Sequence, residues 1–323
     1  MTWVIWRQYR ATAAIASAVL AAFAVLLLIT GLQDAARWHA ALANCAKDGT
    51  CGNLSHTLSL GTGPLNTLTV LTLAVPLLFG MFWGGPAVAR ERETGTVQFA
   101  WTQSVTRRRW LSAKTGWLLL VAAVFGGAVA GIVTWWYAPV NAMKQGQFLP
   151  GYFDIQGLVP IGYAVFAVAL GIAAGTLIGR SLPALAVTGG VFLAIRLAVT
   201  YWVRVHYVPA VTTVYSVTRS LPSTGANWKL AQGVVLPSGQ FSTSLNVGPG
   251  YIIGGGVPAP CQSDTGQISS ALACMARLGY RSYATYQPGY RFWPFQFIET
   301  GIFVALAAAL IAVTFFVVRR RDA

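Results

Sequence analysis

The chain alternates long apolar runs with short polar segments. Six runs approach or exceed the roughly 20 residues needed to cross the hydrocarbon core of a bilayer. They extend from Ala11 to Leu32, Leu65 to Gly85, Thr115 to Tyr137, Leu158 to Gly179, Leu182 to Trp202 and Trp293 to Val318. The first and third contain no charged residue, and the second lies inside a charge-free stretch from Gly49 to Ala89. Backbone polar groups in lipid must bond within their own segment, so each run predicts a helix. The expected fold class is an all-α integral membrane protein, with residues 1–323 forming one six-helix membrane domain.

Between runs five and six, residues 203–292 are too long for a plain connection. Leu236-Pro237-Ser238-Gly239 and Val247-Gly248-Pro249-Gly250 are turn signals, and Trp228, Val234, Val235, Tyr251, Ile252 and Ile253 beside them predict short strands. Asp264 to Arg277 predicts a brief helix ending near Gly279. All four cysteines lie outside the apolar runs: Cys45 and Cys51 in the first loop, Cys261 and Cys274 in the last long one. Four cysteines allow three connectivities. Pairing within each loop is expected, giving a disulfide-held external subdomain at 203–292.

Composition narrows the class further. Only 9% of the residues are charged, against about a quarter in soluble domains. The net charge of +14 is spread over positions that flank apolar runs, the pattern of membrane anchoring and orientation rather than of a nucleic-acid-binding face. Arg7, Arg10, the group from Arg90 to Lys114, Arg180 and Arg319-Arg320-Arg321 fall on one side, while the short opposite loops carry only Arg37, Lys47 and Lys144 as basic residues. The positive-inside rule then puts both termini and the 86–114 loop in the cytoplasm of a multi-pass protein of the cell's inner (plasma) membrane. Trp3, Trp6 and Tyr9 suit the headgroup zone before the first run, which is read as a retained span.

Catalytic chemistry is sparse. There is no G-x-x-x-x-G-K-[ST] loop to cradle phosphates, no G-x-S-x-G elbow and no H-E-x-x-H helix. His39, His56 and His206 lie far apart without metal-ligand spacing, so no metal site and no catalytic residue is assigned, and the reading is of a chain that is not an enzyme. Two ionisable residues fall inside apolar runs, Arg196 in the fifth and Glu299 in the sixth. Both lie about six or seven residues from the same side, which at a rise of roughly 1.5 Å per residue matches their depths. Intramembrane charges tend to pair. An Arg196–Glu299 bridge is the leading reading; contact with cargo, or separate snorkelling to the interface, are the others.

The most polar stretch, Val88 to Trp110, reads VARERETGTVQFAWTQSVTRRRW. Arg90, Glu91, Arg92 and Glu93 interleave signs, as in a solvated helix start or a contact with another protein. Val97, Ala100 and Trp101 share one face of a short helix. Arg107, Arg108 and Arg109 are placed to meet lipid headgroups. As a whole the segment resembles the loop between spans two and three of ABC-2 type permeases of ATP-binding-cassette transporters. The matching residues are Glu91-Arg92-Glu93-Thr94-Gly95-Thr96, then Ser104-Val105-Thr106-Arg107, ending at Lys114, with Ser104 where the family usually has proline. Trp101 to Arg107 and Arg291-Phe292-Trp293-Pro294-Phe295-Gln296 are similar, more narrowly, to export permeases of actinobacteria.

That resemblance implies a permease paired with a second copy or close relative and with two separate ATPase subunits. ATP and Mg²⁺ would be held by those subunits and no cofactor by this chain. It implies that Arg90, Glu91, Arg92, Glu93, Gly95, Thr96, Trp101 and Arg107 belong to the element that couples to the ATPase, and that Thr2 to Arg10 correspond to the family's N-terminal amphipathic helix. The expected activity is export of an amphipathic or hydrophobic compound (a drug, natural product, lipid or peptide). The rivals are a membrane sensor or scaffold with a ligand-binding external subdomain, and a secondary carrier; the latter calls for internal repeats and acids at mid-depth, which the sequence lacks.

Overall fold

The computed structural model describes residues 2–48, 62–93, 107–138, 148, 150–219, 227–248, 251–254, 257–262 and 267–320. The chain divides into a helical unit (Met1–Met143, Pro150–Arg204 and Pro294–Ala323) and a smaller unit (Lys144–Leu149 and Val205–Trp293).

In the helical unit, α1 spans Thr2–Asp48. α2 (Thr62–Phe79) continues through a π-helical turn at Gly80–Gly84 into α3 (Gly85–Glu93). α4 covers Arg107–Trp136 and α5 is the short Pro150–Phe153. α6 (Val159–Ile178) and α7 (Ser181–Ala198) follow, α7 running on through a π turn at Val199–Val203 and a 3₁₀ turn at Arg204–His206. After the smaller unit, the long helix at Phe292–Arg320 ends the described chain. Among the described residues, six helices are long and apolar enough to cross a membrane. They correspond to the six predicted runs. Thr2 to Arg10 are helical and form the first turns of α1, with no glycine or proline between Thr2 and Thr30 to interrupt it.

α6 is the axis of the helical unit. Its membrane-length window is 78% buried, against 39% or less for every other candidate span. The residues that let it be enclosed are small. A Cβ on Gly171 would sit 2.5 Å from the carbonyl oxygen of Gly80 and 2.6 Å from the nitrogen of Gly85, and one on Gly80 would sit 2.5 Å from the carbonyl oxygen of Ala167. α6 therefore lies backbone to backbone against the π turn of the second span, the contact that small residues permit between membrane helices. Phe79, Trp83, Val88, Leu118, Val168 and Ile172 fill the space around this seam. α1 is peripheral; Leu27 and Phe23 pack with Val129, Val133 and Trp136 of α4, and the Trp136 indole donates to Thr30 Oγ1 at 3.0 Å.

The smaller unit corrects the all-α expectation. β1 (Val211–Ser216), β2 (Trp228–Val235), β3 (Phe241–Ser242) and β6 (Arg281–Gln287) form an antiparallel sheet in the order β1-β6-β2-β3. β4 (Leu245–Gly248) and β5 (Tyr251–Gly254) form a separate ribbon. Valine, threonine and tyrosine in β1 and β6 favour the extended backbone. Gly239, at φ +82°, closes the turn from β2 to β3 where an L side chain would be strained. One face of α8 (Ile268–Arg277) buries Ala271, Leu272 and Met275, the last two in a core shared with Val217, Val234, Leu245 and Val247. The long helix after β6 is α9 (Phe292–Arg320).

Cys261 and Cys274 are disulfide-bonded, as expected for pairing within the last long loop. Cys45 is disulfide-bonded too, and lies in the final turn of α1 rather than in a loop; Cys51 is outside the described residues. The Cys261–Cys274 bridge spans a sequence separation of 13 residues. Closing a loop near that size stabilises a fold by about 3 kcal/mol in the chain-entropy account. Replacing both cysteines with serine is expected to lower the stability of this unit by that order, read as faster limited proteolysis within residues 205–293. Unchanged cleavage would show that the small core holds without its bridge.

Candidate functional site

Charged side chains gather at the two ends of α6. Glu91, Glu93, Asp154 and Glu299 are the acidic side chains described, and each makes a specific bond in one of two clusters. With so few acids in the chain, that placement marks both clusters as built features.

The first cluster is at the C-terminal end of α6. The last turn of α3 sends three consecutive side chains to three different helices. Glu91 forms an ion pair with Lys114 of α4, with Nζ to Oε1 at 2.6 Å. Lys114 is almost fully buried and its ammonium lies 5.0 Å from the centroid of the Trp110 ring. Arg92 Nη1 donates to the carbonyl of Thr176, in the last turn of α6, at 2.8 Å. Glu93 accepts from the Ser181 backbone N–H at 2.8 Å and from the Ser181 hydroxyl at 2.6 Å, at the first residue of α7.

The alternating signs thus have a positional reason. α6 ends at Gly179, whose φ of +70° permits a tight turn into α7. The N-cap residue of α7, Arg180, makes no side-chain cap bond. Arg92 places a cation at the C-terminal end of one helix dipole, and Glu93 places an anion at the N-terminal end of the next. Sequence reasoning took Arg90 to Glu93 as a solvated helix start or a contact with another protein. Arg90 is exposed, but Glu91, Arg92 and Glu93 bind their own bundle. Arg107 opens α4, while Gly95, Thr96 and Trp101, with the helical face of Val97 and Ala100, fall outside the described residues.

The second cluster is at the N-terminal end of α6, and it replaces the expected Arg196–Glu299 bridge with a network. Glu299 pairs with Arg204, whose Nε and Nη2 reach its two oxygens at 2.7 and 2.6 Å. Arg204 Nη2 also pairs with Asp154 Oδ1, and Arg196 Nη2 reaches Asp154 Oδ2 at 3.3 Å. The Tyr163 hydroxyl donates to Glu299 Oε1 at 2.5 Å. Arg196 Nη1 donates to the Leu73 carbonyl at 2.7 Å. The guanidinium carbons of Arg196 and Arg204 lie 4.8 Å and 4.5 Å from the ring centroids of Tyr163 and Phe153. Arg204 and Glu299 are fully buried. Two arginines and two carboxylates make the group formally neutral, the condition under which buried charges persist.

Sequence reasoning missed Arg204 and Asp154 because it placed both in loops. The π turn at Val199–Val203 explains Arg204. Eight α-helical steps of 100° leave Arg204 roughly 80° around the axis from Arg196, whereas absorbing one residue in a π turn leaves roughly 20°. The signal available was the stretch from Leu197 to Val203, which holds no charge and no helix breaker and leads straight into Arg204.

Gln296 of α9 completes this end. Its Oε1 accepts from the backbone N–H groups of Leu158 and Val159 at 2.8 and 2.9 Å, and its Nε2 donates to the Phe153 carbonyl at 3.1 Å. The N-terminus of the central helix is thereby capped from another helix. A cavity of about 10 Å³ lies beside the network, lined by Leu73, Pro76, Phe125, Val129, Tyr163 and Arg196 among others. It is large enough for about one water and far too small for an organic molecule. Among the described residues no group of three His, Cys, Asp or Glu is placed to hold a metal ion.

A family model, ABC-2 membrane transporter related, matches residues 17–204. The match covers more than half of the chain, takes in α1 from residue 17 onward, the next four long helices and the whole of the first cluster, and ends at Arg204. No curated protein and no solved structure matches the chain. Six membrane-length helices among the described residues, the Glu91-Arg92-Glu93 segment tied into the bundle and the extent of the family match lead to one conclusion: the chain belongs to the ABC-2 membrane transporter related family and is a multi-pass membrane permease.

Proposed function

We propose that the chain is the membrane-spanning subunit of an ATP-driven exporter, working with a separate ATPase and a second permease copy or close relative. Membership of the family implies an ATPase partner in general terms. Two ATPase copies, export as the direction, an amphipathic or hydrophobic cargo, cytoplasmic termini, an external position for residues 205–293 and a Cys45–Cys51 disulfide complete the reading. The supporting observation is the stem of the 86–114 loop. Glu91 and Lys114 tie the two flanks of residues 94–106 together, so a force applied to that segment is delivered to the bundle at one place. Arg109 at the start of α4 and Arg319 and Arg320 at the end of α9 agree with a cytoplasmic face by their sign.

The test is purification of the tagged chain from its native membrane in mild detergent, with mass spectrometry of what accompanies it. One ATPase subunit per permease is expected, and its loss in a Trp101→Ala, Arg107→Ala double variant that still folds. A complex without any ATPase would remove the exporter reading and favour a sensor or scaffold.

A further inference from the structure

The four-stranded sheet of the smaller unit is packed on one side only. Residues paired directly across an antiparallel ladder share a face, and neighbours along a strand point to opposite faces. Val234 and its partner Ser282 mark the packed side. Val234 belongs to the core with Leu272 and Met275 of α8, and the Ser282 hydroxyl donates to the Val247 carbonyl at 3.3 Å. The residues one step along therefore lie on the other side. There the register sets Ser216, Arg281, Val235 and Phe241 in one row across all four strands. The next row is Val214, Tyr283 and Gly233, and a third pairs Thr212 with Thr285.

Among the described residues no layer covers these rows. Phe241 is 60% exposed and Val214 42%, and Thr212 and Arg281 are exposed as well. Tyr283 is buried because its ring lies against Gly233, where a Cβ would come within 2.9 Å of Cε1. It also meets the Phe241 ring edge-on, with centroids 4.9 Å apart. The result is an open shelf with an aromatic floor, a guanidinium in its first row and hydroxyls in its third.

We infer that this shelf is a docking face for an acidic glycan, a polysaccharide whose rings bear carboxylates. Phe241 offers an exposed ring whose electron-rich face suits the C–H face of a pyranose. The Thr212 and Thr285 hydroxyls are bonded to each other at 2.8 Å; such a pair uses one donor internally and keeps the other, with acceptor capacity, for sugar hydroxyls. Arg281 supplies the planar fork that binds a carboxylate bidentately. Charge selects the acidic member of the class. Residues 205–293 contain Arg219, Lys229, Arg277, Arg281 and Arg291 against Asp264 alone, and none of the acidic side chains described lies in this unit. The same imbalance disfavours a second copy of the chain as the occupant, since two such faces would bring like charges together.

The test uses the full chain in mild detergent and a fluorescently labelled oligogalacturonate, followed by anisotropy. Binding is expected, with much weaker binding of a neutral dextran of equal length and of polyglutamate of equal charge. Arg281→Gln is expected to weaken it about tenfold or more, the range for hydrogen bonds to a charged group. Phe241→Ala is expected to weaken it about fivefold, the range for aromatic contacts, while Phe241→Tyr retains it. Lys229→Gln, on the opposite side of the sheet, changes it far less. Equal binding of polyglutamate, or equal losses in Arg281→Gln and Lys229→Gln, would reduce the shelf to a diffuse basic surface and overturn the proposal. So would a chain that ignores oligogalacturonate, or a Phe241→Ala variant that binds like the parent. The ligand's access rests on the external position proposed for residues 205–293, which is read separately. Ser238→Cys, in an exposed turn, is expected to react with a membrane-impermeant maleimide on intact cells. Protection from the reagent would reject that position, and the ligand's access with it, whatever the binding result.

Discussion

Arg204→Met is expected to destabilise the helical unit by roughly 3–5 kcal/mol, the range for removing one partner of a buried ion pair. Arg204 is fully buried and meets both Asp154 and Glu299. Without it the two carboxylates share an enclosed site with Arg196 alone, and the group carries a net negative charge. Glu299→Gln has the opposite consequence, leaving two arginines and one carboxylate. The double variant Arg204→Met/Glu299→Gln returns the group to neutrality around Asp154 and Arg196. It is therefore expected to be more stable than either single change. Unfolding of all four proteins by heat or denaturant in one detergent completes the cycle. A double variant as unstable as the sum of its parts would mean that charge balance does not govern this end of the bundle.

Gly171→Ala is expected to disrupt the seam between α6 and the π turn of the second span. Overpacking a close-packed interior typically costs about 1–3 kcal/mol, and more where the neighbours cannot move. Here the nearest atoms to the added Cβ are the backbone of Gly80, Gly84 and Gly85. No rotamer change relieves a clash with backbone, so the effect belongs at or above the top of that range. Gly190→Ala is the control, since a Cβ there meets nothing within 4 Å. Thermal unfolding and detergent-resistant yield are the measurements; equal behaviour of the two variants would place the second span further from α6 than the structure has it.

The contrast between these glycines shows what a pattern of small residues leaves undecided. Gly171 and Gly190 both interrupt apolar runs. Only the packing shows that one is filled by backbone and the other is open. That the second run takes a π turn at Gly80–Gly84, and that α6 packs against it, is likewise decided by the packing.

The clusters divide in the same way. Glu91, Arg92 and Glu93 stood out at once because charge is scarce in this chain, and the family resemblance gave them a functional setting. Their partners did not stand out. A carbonyl at Thr176 and a backbone N–H at Ser181 carry no sequence signature, since every residue but proline has both groups. Asp154 and Arg204 were visible as charges but sat outside the helix limits drawn by hydropathy.

The sequence by itself determined the six membrane-length runs, their order and the family resemblance, because bilayer thickness and the cost of unpaired backbone in lipid impose a length that one dimension can carry. Tertiary structure alone decided which span is central, which charges meet and which helix lends a cap to which. Those depend on rotation about helix axes and on distances between segments far apart in the chain. A single π turn is enough to bring Arg204 onto the face of Arg196.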